Sequence, residues 1–135
     1  MSQDSKRRSV GSGVSWEEEF GYSRAVRVGD RIYVSGTTAT GPDGVAAPGD
    51  AAGQAHFVLD KIESAIVALG GALADVVRTR VFVARLQDWS EVAAVHGERF
   101  RGIRPANTLV RADLIGEEYL VEIEAEAVVG SAGTE

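Results

Sequence analysis

Between residues 51 and 69, apolar side chains recur every three or four positions. Ala55, Val58, Leu59, Ile62, Ala65, Ile66 and Leu69 make one stripe at the helical period. Asp50 stands at the N-cap position, and Gly70-Gly71 supply the exit. Before this helix the period is two. The runs 24–28 and 31–35 flank Gly29-Asp30, which predicts a two-residue hairpin. Residues 39–50 carry Gly41-Pro-Asp-Gly44 and Pro48-Gly-Asp50 and read as a loop. Residues 76–86 predict a long strand, with Thr79, Val81 and Val83 on one face and Arg78, Arg80 and Phe82 on the other. Asp88-Trp-Ser-Glu91 has the form of a capping box opening a second helix. That helix's stripe is Trp89, Val92, Ala93, His96 and Phe100, and Pro105 bars its continuation. Two strands follow, over 107–113 and 119–129. The second alternates strictly, with Val121, Ile123, Ala125 and Ala127 against Glu122, Glu124 and Glu126.

The order β-β-α-β-α-β-β predicts an α+β domain of two layers, with both helices on one face of the sheet. The three glutamates then lie on the bare face, where like charges repel unless solvated or paired. Arg78 and Arg80 are the natural partners. A bare face that also carries Phe82 predicts burial against another subunit. Residues 1–13 and 131–135 are small, polar and glycine-rich and read as flexible tails around a single domain over 14–130.

Composition narrows the chemistry. A chain of 135 residues suits one core. With no cysteine, thiol nucleophiles, disulfides and Cys-ligated zinc are excluded, which fits a reducing compartment. The net charge of -6 argues against nucleic acid as a partner, since phosphate binding needs clustered cations. The one basic run, Lys6-Arg7-Arg8, falls in the N-terminal tail. No apolar run reaches membrane-spanning length, and no signal-peptide core follows the basic residues, so a cytoplasmic protein without a membrane partner is expected. His56 and His96 lack metal-ligand spacing, so no metal is expected.

Phe20-Gly-Tyr22, Val34-Ser-Gly36, Gln54, Val77-Arg-Thr-Arg-Val-Phe-Val83 and Val121-Glu-Ile-Glu-Ala125 occur in one order and spacing. Together they resemble the Rid family, the YjgF or endoribonuclease L-PSP-like group, over 14–130. The resemblance implies a chorismate-mutase-like fold, a six-stranded sheet covered by two helices on one face. It also implies a barrel-shaped homotrimer with small-molecule clefts between subunits. Family members hydrolyse reactive imines and enamines to a keto acid and ammonia without cofactor or metal; others are described as ribonucleases or translation inhibitors. By position, the cleft tyrosine falls on Tyr22, the pocket's Ser-Gly on Ser35-Gly36, and the water-holding glutamate on Glu122. The arginine that grips the substrate carboxylate falls on Asn107, in Arg104-Pro-Ala-Asn107.

That substitution shifts the expected function. A guanidinium forms bidentate, charge-assisted bonds with a carboxylate; a carboxamide carries no charge. The expected protein is a small-molecule hydrolase acting on an imine, enamine or related carbonyl metabolite, and not a standard 2-iminoacid deaminase. The alternatives are a non-catalytic small-molecule-binding trimer and, more remotely, an endoribonuclease or translation inhibitor. Arg24 shares a strand face with Tyr22 by the period of two and is the candidate replacement cation. Arg111 shares Asn107's face but projects about 13 Å further along the strand. His96 is either a buried core or interface histidine or a cleft residue that exchanges protons near neutral pH. Ser35 is expected to hydrogen-bond ligand rather than attack it, since no triad surrounds it.

Overall fold

The structure, a computed structural model, describes residues 6–132. Eight strands and three helices run in the order β1 (Arg8–Val10), α1 (Ser15–Phe20), β2 (Ala25–Val28), β3 (Arg31–Thr37), β4 (Thr40–Gly41), β5 (Gly44–Val45), α2 (Ala51–Ala68), β6 (Val76–Val83), α3 (Trp89–Arg99), β7 (Ala106–Arg111) and β8 (Val121–Val128). Six strands form one sheet in the order β1-β2-β3-β8-β6-β7, and β4 and β5 make a separate small hairpin. All neighbours in the large sheet are antiparallel except β6 and β7, which α3 links as a crossover. The mixed α+β fold with its six-stranded sheet is therefore as expected, and α2 and α3 are its two long helices.

Some boundaries and details differ from the sequence reading. Residues 1–5 and 133–135 of the expected tails lie outside the described residues. Within the rest of the N-terminal tail, Arg8–Val10 pair with Ala25–Arg27 and supply the sixth strand. A three-residue strand shows too little alternation to be read from sequence. The loop over 39–50 contains the β4–β5 hairpin. Asp50 caps α2 as predicted, its carboxylate accepting from the Gly53 amide at 3.0 Å. Asp88 does not cap α3: its carboxylate instead accepts from Arg85 Nε at 2.8 Å. The charged donor three residues upstream outcompetes the backbone amides. Trp89, placed on the α3 stripe, is 51% exposed, and Val95 is buried in its stead.

The core lies between the helices and one sheet face. Val58, Leu59, Ile62 and Ile66 of α2 meet Ile32, Val81, Val83 and Ile123 of the sheet, all fully buried. The burial of β8 alternates without exception, so Glu122, Glu124 and Glu126 project onto the face without helices. Arg80 answers two of them, with Nη1 at 2.7 Å from Glu124 and 3.5 Å from Glu126. These pairs are half-exposed and contribute at most about 1 kcal/mol each. Glu122 is the glutamate that Arg80 leaves over.

Two buried polar side chains hold the frame around the site. Gln54 on α2 accepts from the Leu120 amide at 2.9 Å and donates to the Glu118 carbonyl at 3.1 Å, fixing the approach to β8. Arg27 on β2 donates to the Leu69 carbonyl at 2.8 Å and closes the C-terminal end of α2.

Candidate functional site

The site begins at an irregularity in β3. Val34 pairs with Ala125 and Thr37 with Ile123, so Ser35 and Gly36 together oppose the single residue Glu124. This β-bulge puts one extra residue into β3 and re-aims the backbone on either side of it. Gly36 is thereby pressed against the Glu122 side chain. A Cβ at this position would collide with Glu122 Oε2, so the carboxylate occupies the space that any other residue would fill.

Arg24 comes from the other side. Its backbone amide donates to the Val10 carbonyl at 2.9 Å, so the β1 strand holds it at the mouth of β2. Its guanidinium reaches across the bulge and donates from Nη2 to the Gly36 carbonyl at 2.6 Å. Its Nε is buried without a partner, and Arg24 makes no ion pair among the described residues. Burial lowers the Arg24 pKa, opposed by the charges of Tyr22, Glu17 and Glu122. Burial likewise pushes the Glu122 carboxyl above its ordinary value, opposed by Arg24 and reinforced by Glu124. Two half-buried charges of opposite sign thus face one space without closing on each other.

That space is a cavity of about 480 Å³. Tyr22, Arg24, Gly36, Lys61 and Glu122 contribute to its lining, with Trp16 and Ile115 among its apolar wall residues. Lys61 donates to the carbonyls of Thr38 and Thr40, each at 3.0 Å. Burial lowers its pKa, helped by the nearby charge of Arg24. The Thr40 hydroxyl donates to Tyr119 Oη at 2.7 Å, completing a polar wall.

The structure therefore brings together Tyr22, Arg24, Gly36 and Glu122 of the residues singled out from sequence. Ser35 stands beside them with its hydroxyl engaged: Oγ donates to the Ser23 carbonyl at 2.7 Å and braces the turn that presents Tyr22. It lines a neighbouring groove of about 690 Å³ on the bare sheet face, with Tyr33, Glu124 and Glu126. Asn107 and His96 are not among the cavity's lining residues and form their own cluster. Asn107 Nδ2 donates to Thr79 Oγ1 at 2.9 Å, and Thr79 Oγ1 lies 2.8 Å from His96 Nε2. Thr79 Oγ1 thus bridges the Asn107 amide and the His96 ring. Burial lowers the His96 pKa, which agrees with a neutral ring, and Phe100 lies against it at 4.6 Å.

Sequence reasoning passed over Lys61, Trp16 and Tyr119. Lys61 had a usable signal, as the sole lysine within the predicted domain, on a helix already assigned. Trp16 and Tyr119 had none, because each enters the cavity from irregular or short structure whose direction only the fold sets.

Three comparisons bear on the chain as a whole. The family described as Endoribonuclease L-PSP matches residues 15–129. An uncharacterized protein of Streptomyces coelicolor is 39% identical over 132 residues, covering 97% of this chain and 98% of its own. A RutC family protein of Pyrococcus abyssi is 32% identical over 107 residues, covering 78% and 84%. The crystal structure of a member of the YjgF/YER057c/UK114 family from Mycobacterium tuberculosis has a TM-score of 0.83 at 44% identity. It is matched over 92% of this chain and 100% of its own.

Proposed function

Since the chain belongs to the Endoribonuclease L-PSP family, we propose that it hydrolyses a small imine, enamine or related carbonyl metabolite in the Glu122 cavity. The observation that carries this reading is the Glu122 carboxylate. It is half-buried, seated against Gly36, raised in pKa, and left unpaired by the arginine that answers Glu124 and Glu126. Burial that raises its pKa makes this carboxylate a stronger base toward a water held beside it, from which it takes a proton. The water oxygen then bonds to the imine carbon, and the C=N π electrons move to nitrogen. Glu122 returns that proton to the nitrogen, giving a carbinolamine; it then takes the hydroxyl proton and passes it to the amine as the C–N bond breaks, so that a carbonyl compound and ammonia leave. The balance is one imine and one water in, one carbonyl and one ammonia out. Tyr22 borders the same space and orients the ligand.

The assembly expected is a homotrimer whose subunits meet over the bare sheet face. Tyr33 and Val110 on that face are 45% and 43% exposed, and Phe82 lies between them in the sheet. A cytoplasmic location belongs to the same reading. It is consistent with the lack of cysteine and with the finding that no helix among the described residues is long and apolar enough to cross a membrane.

A second reading, a binder without turnover, is favoured by one observation. Asn107 stands where the family resemblance puts a carboxylate-gripping arginine, and its amide is already bonded to Thr79. The two readings separate in one assay. A flavin-dependent amine oxidase generates an imine that carries no carboxylate while semicarbazide competes to trap it. Faster loss of imine with the wild type, abolished in Glu122→Gln, supports the hydrolase. Unchanged loss of imine together with a ligand-dependent melting shift overturns it in favour of the binder.

A further inference from the structure

Lys61 stands half-buried on α2 and lines the Glu122 cavity, yet no acid neutralises it. It makes no ion pair among the described residues. Its helix neighbours Asp60 and Glu63 both answer Arg99, at 2.9 and 3.5 Å. The Phe57 ring centroid lies 5.9 Å from Lys61 Nζ, at the outer limit of a cation–π contact. Burial and the charge of Arg24 both lower the Lys61 pKa, and Glu17 opposes them. A desolvated lysine beside a second cation holds more of its amine neutral, and the neutral amine is the nucleophile.

The hydrogen bonds of Lys61 leave one position on its nitrogen open. A neutral amine has two N–H groups and one lone pair, and an ammonium has three N–H groups. The Thr38 and Thr40 carbonyls, each 3.0 Å from Nζ, accept two of the hydrogens. The remaining position has no hydrogen-bond partner among the described residues, and in the neutral form it is the lone pair. Open space adjoins the side chain: the 480 Å³ cavity and a second hollow of about 320 Å³ toward β1. Val14, Trp16 and Ile115 give the larger cavity an apolar wall that suits an alkyl chain.

We propose that Lys61 is a covalent site whose amine condenses with a small uncharged aliphatic aldehyde to form a protein-bound imine. The proposal goes beyond the water addition at Glu122 and does not depend on it. The ammonium first yields one proton to solvent. The Nζ lone pair then bonds to the carbonyl carbon, and the C=O π electrons move to oxygen. A proton passes from nitrogen to that oxygen through solvent, giving a carbinolamine. The hydroxyl takes up a second proton and leaves as water while the nitrogen lone pair forms the C=N bond. One ammonium and one aldehyde enter, and one iminium and one water result. The iminium keeps one N–H, enough for one of the two threonine carbonyls.

The chain supplies its own reference, since its one other lysine, Lys6, is exposed. The full chain is incubated with 3-methylbutanal near neutral pH. Sodium cyanoborohydride then delivers hydride to the iminium carbon and leaves a stable secondary amine. Peptide mapping by mass spectrometry reads the label at Lys61, at Lys6 and at the N-terminal amine. Most of the label carried by lysine should sit on Lys61. Lys61→Arg keeps the charge and the donors for the threonine carbonyls but has no nucleophilic amine, so label should vanish from that peptide alone. A wild type labelled at Lys61 no more than at Lys6 overturns the proposal, as a lysine that only ties α2 to the Thr38–Thr40 segment would be. That comparison is made within the wild type and holds whether or not the variant folds. Labelling of Lys61 without imine hydrolysis overturns the hydrolase reading and leaves this one standing. Hydrolysis without labelling of Lys61 does the reverse.

Discussion

Glu122 is held in an unfavourable state of charge. Burial disfavours its ionised form more than the Arg24 charge restores it, so its pKa in the fold lies above the ordinary 4.5. An acid whose pKa rises on folding binds more protons folded than unfolded between the two values. Stability contributed by its protonated form is therefore present at low pH and lost as pH rises through that window. Glu122→Gln removes the charge while keeping the shape. It should raise the melting temperature near pH 7 relative to wild type, with the difference shrinking toward about pH 4, as paired thermal melts would show. The same shift predicts the acid limb of the proposed hydrolysis. As pH falls, the base is lost at the raised value, so the limb should lie above 4.5 and vanish with turnover in Glu122→Gln. A variant that melts lower than wild type at neutral pH would mark Glu122 as a structural ion-pair member instead.

Among the elements, the bulge in β3 does most to make the site. It is a local fault in pairing, two residues against one, and it leaves Gly36 where the Glu122 carboxylate needs room. Gly36→Ala introduces one methyl that meets the far end of a flexible side chain rather than backbone. The carboxylate can swing away, so the expected loss of stability is under about 1 kcal/mol by chemical denaturation, as for changes that avoid core packing. Turnover of imine should fall by roughly a hundredfold, the lower end of what a positioned proton-transfer group contributes. An alanine variant with full activity would detach the bulge from the chemistry. The β1 strand has a comparable role at one remove. Three residues pair with β2, and the Val10 carbonyl takes the Arg24 amide, so the edge strand positions the cation.

At the scale of the molecule, one face of the sheet is packed by α2 and α3, and neither helix covers the other face. Tyr33, Phe82 and Val110 on that face present aromatic and apolar surface, and Arg80 among them is paired with Glu124 and Glu126. Such a surface suits association of identical subunits. Val110 is 43% exposed in the single chain, so Val110→Asp should leave the fold intact. If the face is the subunit interface, light scattering should report trimer for the wild type and monomer for the variant. A wild type that is monomeric at micromolar concentration would remove the assembly.

The sequence by itself determined the elements with strong periods. The apolar stripe of α2 and its Asp50 cap, the paired runs around Gly29-Asp30, and the strict alternation of β8 each read directly, because a period repeated over many residues has one geometric meaning. From that alternation the glutamates' face was legible too, and with it the pairing of Arg80, whereas Arg78, named beside it, makes no ion pair among the described residues. The period of two also placed Arg24 beside Tyr22, and the motif match singled out Gly36 and Glu122. Tertiary structure decided what single positions do. Three residues of β1 carry no period, so the sixth strand came only from its pairing. Asp88 had two acceptable partners, and the chain's path gave it to Arg85. Trp89 and Val95 both fit a helical stripe within a fraction of a turn, and the rotation of α3 against the sheet buried one and exposed the other. The alternation of β8 does not tell Glu122 from Glu124 and Glu126; only its place in the family motif did. The unpaired state of Glu122 came only from the fold, because the bulge that seats Gly36 against it and the reach of Arg80 both depend on register between strands far apart in the chain.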